Sequence, residues 1–186
     1  SHEFKTPLST ISSSAYLLSQ YHLTQDQVKR EKHIQRIQNA VNSLNNILDD
    51  FLSQGRIEEG KIQIVIQPFN LEDLMLESIQ DFNLQLKTGQ SIEYCHSGDK
   101  IINSDKSALK HILQNLVSNA IKFSEQNSTI TVETKVFNKV LSLRIQDCGI
   151  GIPKSDQAHL FERFYRAQNA MNIKGTGLGL HIVSKY

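Results

Sequence analysis

No apolar run in these 186 residues approaches the roughly 20 that a membrane-spanning helix requires, so nothing in the sequence reads as a bilayer crossing. Charge of one sign is also missing. Twenty basic and 19 acidic residues leave a net +1, and no aromatic residues interleave with a Lys/Arg cluster, so no nucleic-acid partner is expected. Cysteine is scarce: Cys95 and Cys148 lie far apart without paired metal-ligand spacing, which favours two reduced cytosolic thiols over a disulfide or a metal site. No basic-then-apolar leader opens the chain. The expectation is a cytoplasmic fragment with no membrane contact of its own, while anchoring of a longer protein in the inner membrane stays open. Internal repeats and low-complexity tracts are lacking as well. What remains is a globular composition, 39% hydrophobic and 21% charged, at a length that allows one or two domains.

The first third is helical in pattern. Phe4, Leu8, Ile11, Ala15 and Leu18 step by four and three, and after YHLTQ the stripe resumes with Ile34, Ile37, Val41, Leu44, Leu48 and Phe51. Asp26 and Glu31 lie near the start of this second helix, where the helix dipole favours negative charge. Two long helices joined by a short turn form an antiparallel hairpin. One hairpin buries only one side of each stripe, so a homodimer with a four-helix bundle is expected. Gly55 and the EEGK stretch end this pattern, and the hairpin is assigned residues 1–56.

A second domain is assigned residues 61–186. Ile62, Ile64 and Ile66 alternate with Gln63, Val65 and Gln67 as in a strand, until Pro68 stops it. Asn70 caps a helix to about Lys87, a short strand follows near Ile92 to Cys95, and another helix runs from about Asp105 to Phe123. TITVETKVF and VLSLRIQD, separated by Asn138 and Lys139, read as a β-hairpin. A short helix near Gln157 to Phe161 and another after Thr176 complete the order. The expected fold class is α+β: a helical hairpin followed by an α/β sandwich with one mixed sheet and helices on one of its faces.

Five of the nine glycines fall between Gly149 and Gly179, in DCGIGI and GTGLGL. Backbone without Cβ approaches a ligand closely, and amides at a helix start attract phosphate, so a nucleotide is the natural guest. Asp147 ends a strand just ahead of Gly149 and Gly151 and can accept a hydrogen bond from a base amino group; a turn aspartate is its bland alternative. On the helix SDKSALKHILQNLVSNAIKFS, residues Asn115, Asn119 and Lys122 form a narrow polar stripe beside Leu109, Ile112, Leu113, Leu116 and Ala120. Amide oxygens suit a magnesium ion already held by phosphates, and a lysine neutralises phosphate charge. A half-exposed stripe with local hydrogen bonds is the competing reading.

Taken together, HEFKTPL, NLVSNAIKF, DCGIGI, FERFYR and GTGLGL resemble, in order, the phosphoacceptor, asparagine, first glycine, phenylalanine and second glycine boxes of the sensor histidine kinases of two-component signalling. The resemblance implies an ATP-binding domain of the type shared with Hsp90, DNA gyrase and MutL, joined to a dimerising hairpin. It implies that Asp147 recognises adenine, that Asn119 with Asn115 holds Mg2+, and that Lys122 touches phosphate. Gly149 and Gly151, with the tract Gly175, Thr176, Gly177, Leu178 and Gly179, would shape the ATP pocket, Arg166 would reach the γ-phosphate, and Ala167 to Lys174 would form a mobile lid. It further implies a response-regulator receiver domain as partner. The family continues with further strand where this sequence stops at Tyr186, so the catalytic domain is expected to be incomplete at its C-terminus.

On that reading His2 is the nucleophile. Glu3 takes the proton from one ring nitrogen and leaves the other to attack the γ-phosphorus. Thr6, one turn on, occupies the position that the family uses in its phosphatase activity. A local alternative has Thr6 as N-cap, Pro7 at the first helical position and HEF as an extended arm. The other six histidines, His33 among them, read as surface or boundary residues, and Tyr16, Tyr21, Phe51 and Phe69 as packing groups. Two functional alternatives remain: a degenerate, ATP-binding dimeric scaffold without phosphotransfer, and a chaperone ATPase or serine kinase on the same nucleotide fold.

Overall fold

A computed structural model describes residues 2–21, 24–58, 64–173 and 175–186. They fall into two units: a hairpin unit at the amino end, with which residues 173–176 are grouped, and a sheet-containing unit of residues 62–172 and 177–186. The hairpin consists of α1 (His2–Leu18), a 3-10 turn over Thr24–Asp26 and α2 (Gln27–Glu58). His2, Glu3 and Phe4 already have helical backbone, so the extended arm capped by Thr6 does not form, and Pro7 lies inside α1. The helix also runs on through Gly55, which was expected to stop it. A single glycine costs only about 1 kcal/mol relative to alanine, which a 32-residue helix absorbs.

Pro7, Ser14, His33 and Ala40 are buried along the seam between α1 and α2, with Ile11, Leu18, Ile37 and Leu44 half-buried. Much of the apolar stripe remains uncovered within one copy: Leu8 is 53% exposed, Leu48 47% and Phe51 63%. Tyr16 is exposed too and does not pack as expected. His33 departs from its surface assignment because Tyr21, at the turn, stacks on its imidazole, with ring centroids 5.7 Å apart and planes 29° apart. Its buried Nδ1 has no hydrogen-bond partner among the described residues.

In the second unit the expected strand shifts. Ile62 lies outside the described residues, Ile64 to Ile66 are exposed and irregular, and β1 spans Gln67–Asn70, Pro68 included. It pairs antiparallel with β3 (Ile101–Ser104), a strand with no forecast in the sequence pattern. In a two-stranded sheet every strand has a free edge, where a residue lacking its N–H is tolerated. The mixed sheet is separate. In it β2 (Ser91–Gly98) runs parallel to β4 (Thr129–Phe137), and β4 is antiparallel to β5 (Val140–Gln146). Asn138 and Lys139 join β4 to β5 with positive φ values of 49° and 64°, the conformation whose twist matches a two-residue hairpin.

Asn70 caps α3 (Leu71–Phe82), its Oδ1 accepting from the Glu72 N–H at 3.0 Å. This helix ends five residues before Lys87, and the 3-10 turn over Asn83–Gln85 that follows buries none of its side chains, Leu84 being 95% exposed. Asp105 caps α4 (Lys106–Phe123) by accepting from Ala108 N–H at 2.9 Å, and its other oxygen takes the Val65 N–H at 2.8 Å. On one face of β4 the residues Ile130, Val132 and Val136 are buried against Leu71, Leu74 and Met75 of α3 and Leu113, Val117 and Ile121 of α4. The architecture is therefore the expected α+β one, with helices on one face of the mixed sheet. After β5 come 3-10 turns at Gln157–His159, where a longer helix was expected, and Gln168–Ala170, then the short α5 (Gly179–Val183).

Candidate functional site

The polar stripe of α4 and the glycine tracts meet through four seams. At the first, Ser124 bridges Gly149 and the Ile150 N–H donates to the Phe123 carbonyl at 3.3 Å, so the DCGIGI loop is tied to the end of α4. A Cβ on Gly149 would stand 2.7 Å from that same carbonyl. At the second, the Asn115 side chain lies against Gly179 at the start of α5, where an added Cβ would approach its Oδ1 to 2.5 Å. The third joins Gly177 to the FERFYR segment: the Phe164 N–H donates to the Gly177 carbonyl at 3.0 Å. Both residues adopt positive φ, 61° and 70°, and a Cβ on Gly177 would fall 2.8 Å from the Phe164 backbone, so only glycine fits. The fourth ties the Asn169 amide to the carbonyls of Ile150 and Gly151, at 3.3 and 3.0 Å.

The sequence-derived residues are placed unequally. Asp147 is exposed, and its Oδ1 accepts from the Gly149 N–H at 2.8 Å. Gly151 has φ of 63° and open space where a side chain would point. Lys122 is half-buried with its ammonium 4.6 Å from the Phe123 ring centre. Asn115 donates its amide N–H to the His111 carbonyl at 3.0 Å. Asn119, one turn further on the same stripe, makes no side-chain hydrogen bond among the described residues. Leu178 is buried, and Gly175 and Thr176 are half-buried. His2, Glu3 and Thr6 belong to the other unit. Thr6 is exposed on α1, and the side chains of His2 and Glu3 lie outside the described residues.

Two family models match the chain. "His Kinase A (phospho-acceptor) domain" covers residues 1–60, and "Histidine kinase-, DNA gyrase B-, and HSP90-like ATPase" covers residues 104–186. The chain belongs to the sensor histidine kinases. Among curated relatives of this histidine kinase chain, BarA of Escherichia coli is 34% identical over 198 residues and GacS of Pseudomonas protegens 34% over 195, both matching all of the chain. The chain spans about a fifth of the length of these relatives, 21% in each case. Among solved structures, that of full-length ShkA in complex with AMPPNP is 27% identical with a TM-score of 0.68, covering 99% of this chain and 38% of that one. Acinetobacter baumannii AdeS shares the fold, with a TM-score of 0.69 at 21% identity over 100% of this chain and 85% of that one.

The kinase chain also uses residues that pattern reading passed over. Asp156 is buried and gathers the segment expected to be a mobile lid: its Oδ2 accepts the Gln168 N–H at 2.9 Å and its Oδ1 the Ser155 hydroxyl at 3.0 Å. The Gln168 N–H is the main reason its carboxyl is held below the usual carboxylate range. Burial, with the neighbouring Asp156 charge, raises the Tyr165 phenol. Arg166 donates through Nη2 to the carbonyls of Ala170 and Met171, at 2.8 and 3.1 Å, which folds the segment around its guanidinium. Ala167 and Ala170 are buried, so this part of the expected lid is anchored, while Lys174 lies outside the described residues. Only the turn composition of PKSD hinted at an anchoring aspartate, and such turns are common.

Proposed function

We propose that this chain is the kinase core of a longer sensor protein: it binds ATP with Mg2+ between α4 and the glycine tracts and phosphorylates its own His2. The observation that carries the reading is the set of four seams, which ties the asparagine, phenylalanine and both glycine boxes to one another. The residues suit the ligand. Asp147 offers a carboxylate acceptor for the adenine amino group, and the space beside Gly151 admits a ring or phosphate that a side chain would fill. Asn119 and Asn115 would each offer an amide oxygen for magnesium; the Asn115 amide N–H is donated to the His111 carbonyl, and its Oδ1 lies beside Gly179. Magnesium, when bound, neutralises phosphate charge. Lys122 and Arg166 supply the protein's own positive charge towards the β- and γ-phosphates. The remaining tract residues Gly175, Thr176, Gly177, Leu178 and Gly179 shape the pocket wall.

In the transfer, Glu3 accepts the proton from one His2 nitrogen, the other nitrogen forms a bond to the γ-phosphorus, and the bond from that phosphorus to the bridging oxygen breaks to release ADP. The phosphoramidate then passes its phosphoryl group to a receiver-domain aspartate, and Thr6 serves the reverse, dephosphorylating activity. The exposed stripes of α1 and α2 support a homodimer. The domains divide into residues 1–56 and 61–186, and the reaction is cytoplasmic. No described helix is long and apolar enough to cross a membrane. Incubation with γ-labelled ATP and Mg2+ tests the proposal. Acid-labile, base-stable label that vanishes in His2→Gln and on chelation of magnesium is expected. Nucleotide binding without label would replace the kinase by a scaffold, and acid-stable label would point to hydroxyl phosphorylation instead.

A further inference from the structure

An α-helix ends with four carbonyls that its own ladder cannot satisfy. At the end of α4, capped by Ser124, all four are taken, and the donors come from two separate places. Gln90 Nε2 serves Ile121 at 3.2 Å, Lys87 Nζ serves Lys122 at 2.8 Å as well as Ser124, and Ile150 N–H serves Phe123 at 3.3 Å. Ile150 belongs to the glycine loop. Lys87 and Gln90 belong to the turn between α3 and β2, which is outside the site.

That turn is built for the task. Gln90 is 8% exposed, and its Oε1 accepts the Lys87 N–H at 2.8 Å, which locks the two residues together. Lys87 Nζ also donates to the Ser124 carbonyl, and Gln90 Nε2 to the Glu125 carbonyl at 2.9 Å. The Asn127 N–H donates to the Thr88 carbonyl at 3.1 Å, and Ser91 N–H to Ser128 at 3.1 Å, so the turn is laced to the segment after α4 on both sides. An ammonium among the carbonyls at a helix C-terminus is favoured by the helix dipole as well as by its hydrogen bonds.

We infer that Lys87 and Gln90 are positioning residues for the nucleotide: they brace the last turn of α4, and through it Lys122 and the Ser124–Gly149 joint that sets the turn containing Asp147. This rests on the ATP reading of the site. Neither residue touches that site, and both act through main-chain carbonyls. Removing the ammonium frees the Lys122 and Ser124 carbonyls and loosens the joint on which the DCGIGI loop is hung.

The test uses the whole 186-residue chain with AMPPNP and with ATP and Mg2+. Lys87→Met keeps the aliphatic stem and removes the donors. It is expected to weaken AMPPNP binding and raise the KM for ATP by about tenfold, with kcat changed far less, as loss of one charge-assisted brace implies. Amide hydrogen exchange at Ile150 should speed up about tenfold while that at Val132 in the core stays as in the parent. Lys87→Arg, which still donates, is expected to recover the parent KM. Should Lys87→Met fail to fold, Gln90→Glu removes the Nε2 donor while keeping the acceptor, and the same two shifts are expected. A folded variant with parent KM and parent exchange at Ile150 overturns the inference. Failure of the parent chain itself to bind AMPPNP would overturn the ATP reading, and that arm is read before any variant is made.

Discussion

The two units of this chain handle their apolar residues in opposite ways. In the sheet-containing unit Leu71, Leu74, Met75, Leu113, Ile130 and Val132 are almost fully withdrawn from water by the sheet and two helices. In the hairpin the seam between the helices is lined by Pro7, Ser14, His33 and Ala40, while Leu8, Val41, Leu48 and Phe51 stay at least 41% exposed. A layered α+β unit closes its core within one chain. A two-helix hairpin has no third layer, so its larger side chains stay uncovered within one copy, which is the basis of the proposed dimer.

The contrast is open to direct attack. Leu113→Ala, at a site with no exposure, is expected to destabilise the sheet-containing unit by about 3 kcal/mol in denaturant unfolding; a cost near that of a surface change would mean that this core is not closed. In the hairpin, Leu48→Asp should leave the melting of the other unit alone and weaken dimerisation by about 2 kcal/mol, read by sedimentation across a dilution series. An unchanged dimer would show that the exposed stripe is not the contact. Asp105→Ala removes the cap of α4 and should cost about 1 kcal/mol at neutral pH.

That third loss is also pH-dependent, with a definite sign. The Ala108 and Val65 N–H groups hold the Asp105 carboxyl below its ordinary value, so its contribution is complete above the ordinary carboxylate range and disappears as pH falls through the lower folded-state value. The stability gap between parent and variant should therefore narrow below about pH 4 in urea titrations. A gap that persists in acid would mean that charge plays no part in the cap. The smallest effect has the opposite direction. Gly55→Ala, within α2 and with nothing within 4 Å of the new methyl group, should raise hairpin stability by a little under 1 kcal/mol in thermal unfolding.

Much of this was readable from residue order. The amphipathic spacing located α1, α2 and α4, the Asn70 and Asp105 caps were visible as polar residues before apolar periods, and Asn138-Lys139 stood out between two alternating runs. Three departures from the sequence pattern, at Ile64 to Ile66, at β3 and at His33, share one physical cause. Period and propensity describe a segment against an average environment, whereas Ile64 to Ile66 lost their strand, and β3 acquired one, through pairings made far away in sequence. His33 was misjudged in the same way, since its burial comes from Tyr21 across the turn. At the site, the pattern names the polar stripe and the glycines but not that the Asn115 amide donates to the His111 carbonyl while the Asn119 side chain makes no hydrogen bond among the described residues.

Local order along the chain therefore determined the helices, the β4–β5 hairpin and the inventory of nucleotide-binding side chains, because each depends on neighbours within a few residues. The fold alone decided how those side chains are held. The carbonyls of Ile121, Lys122, Phe123 and Ser124 at the end of α4 draw donors from residues 87, 90 and 150, and no local rule can pair groups that meet only when separate segments pack. Burial forces every such carbonyl to find a partner, and tertiary structure chooses which one.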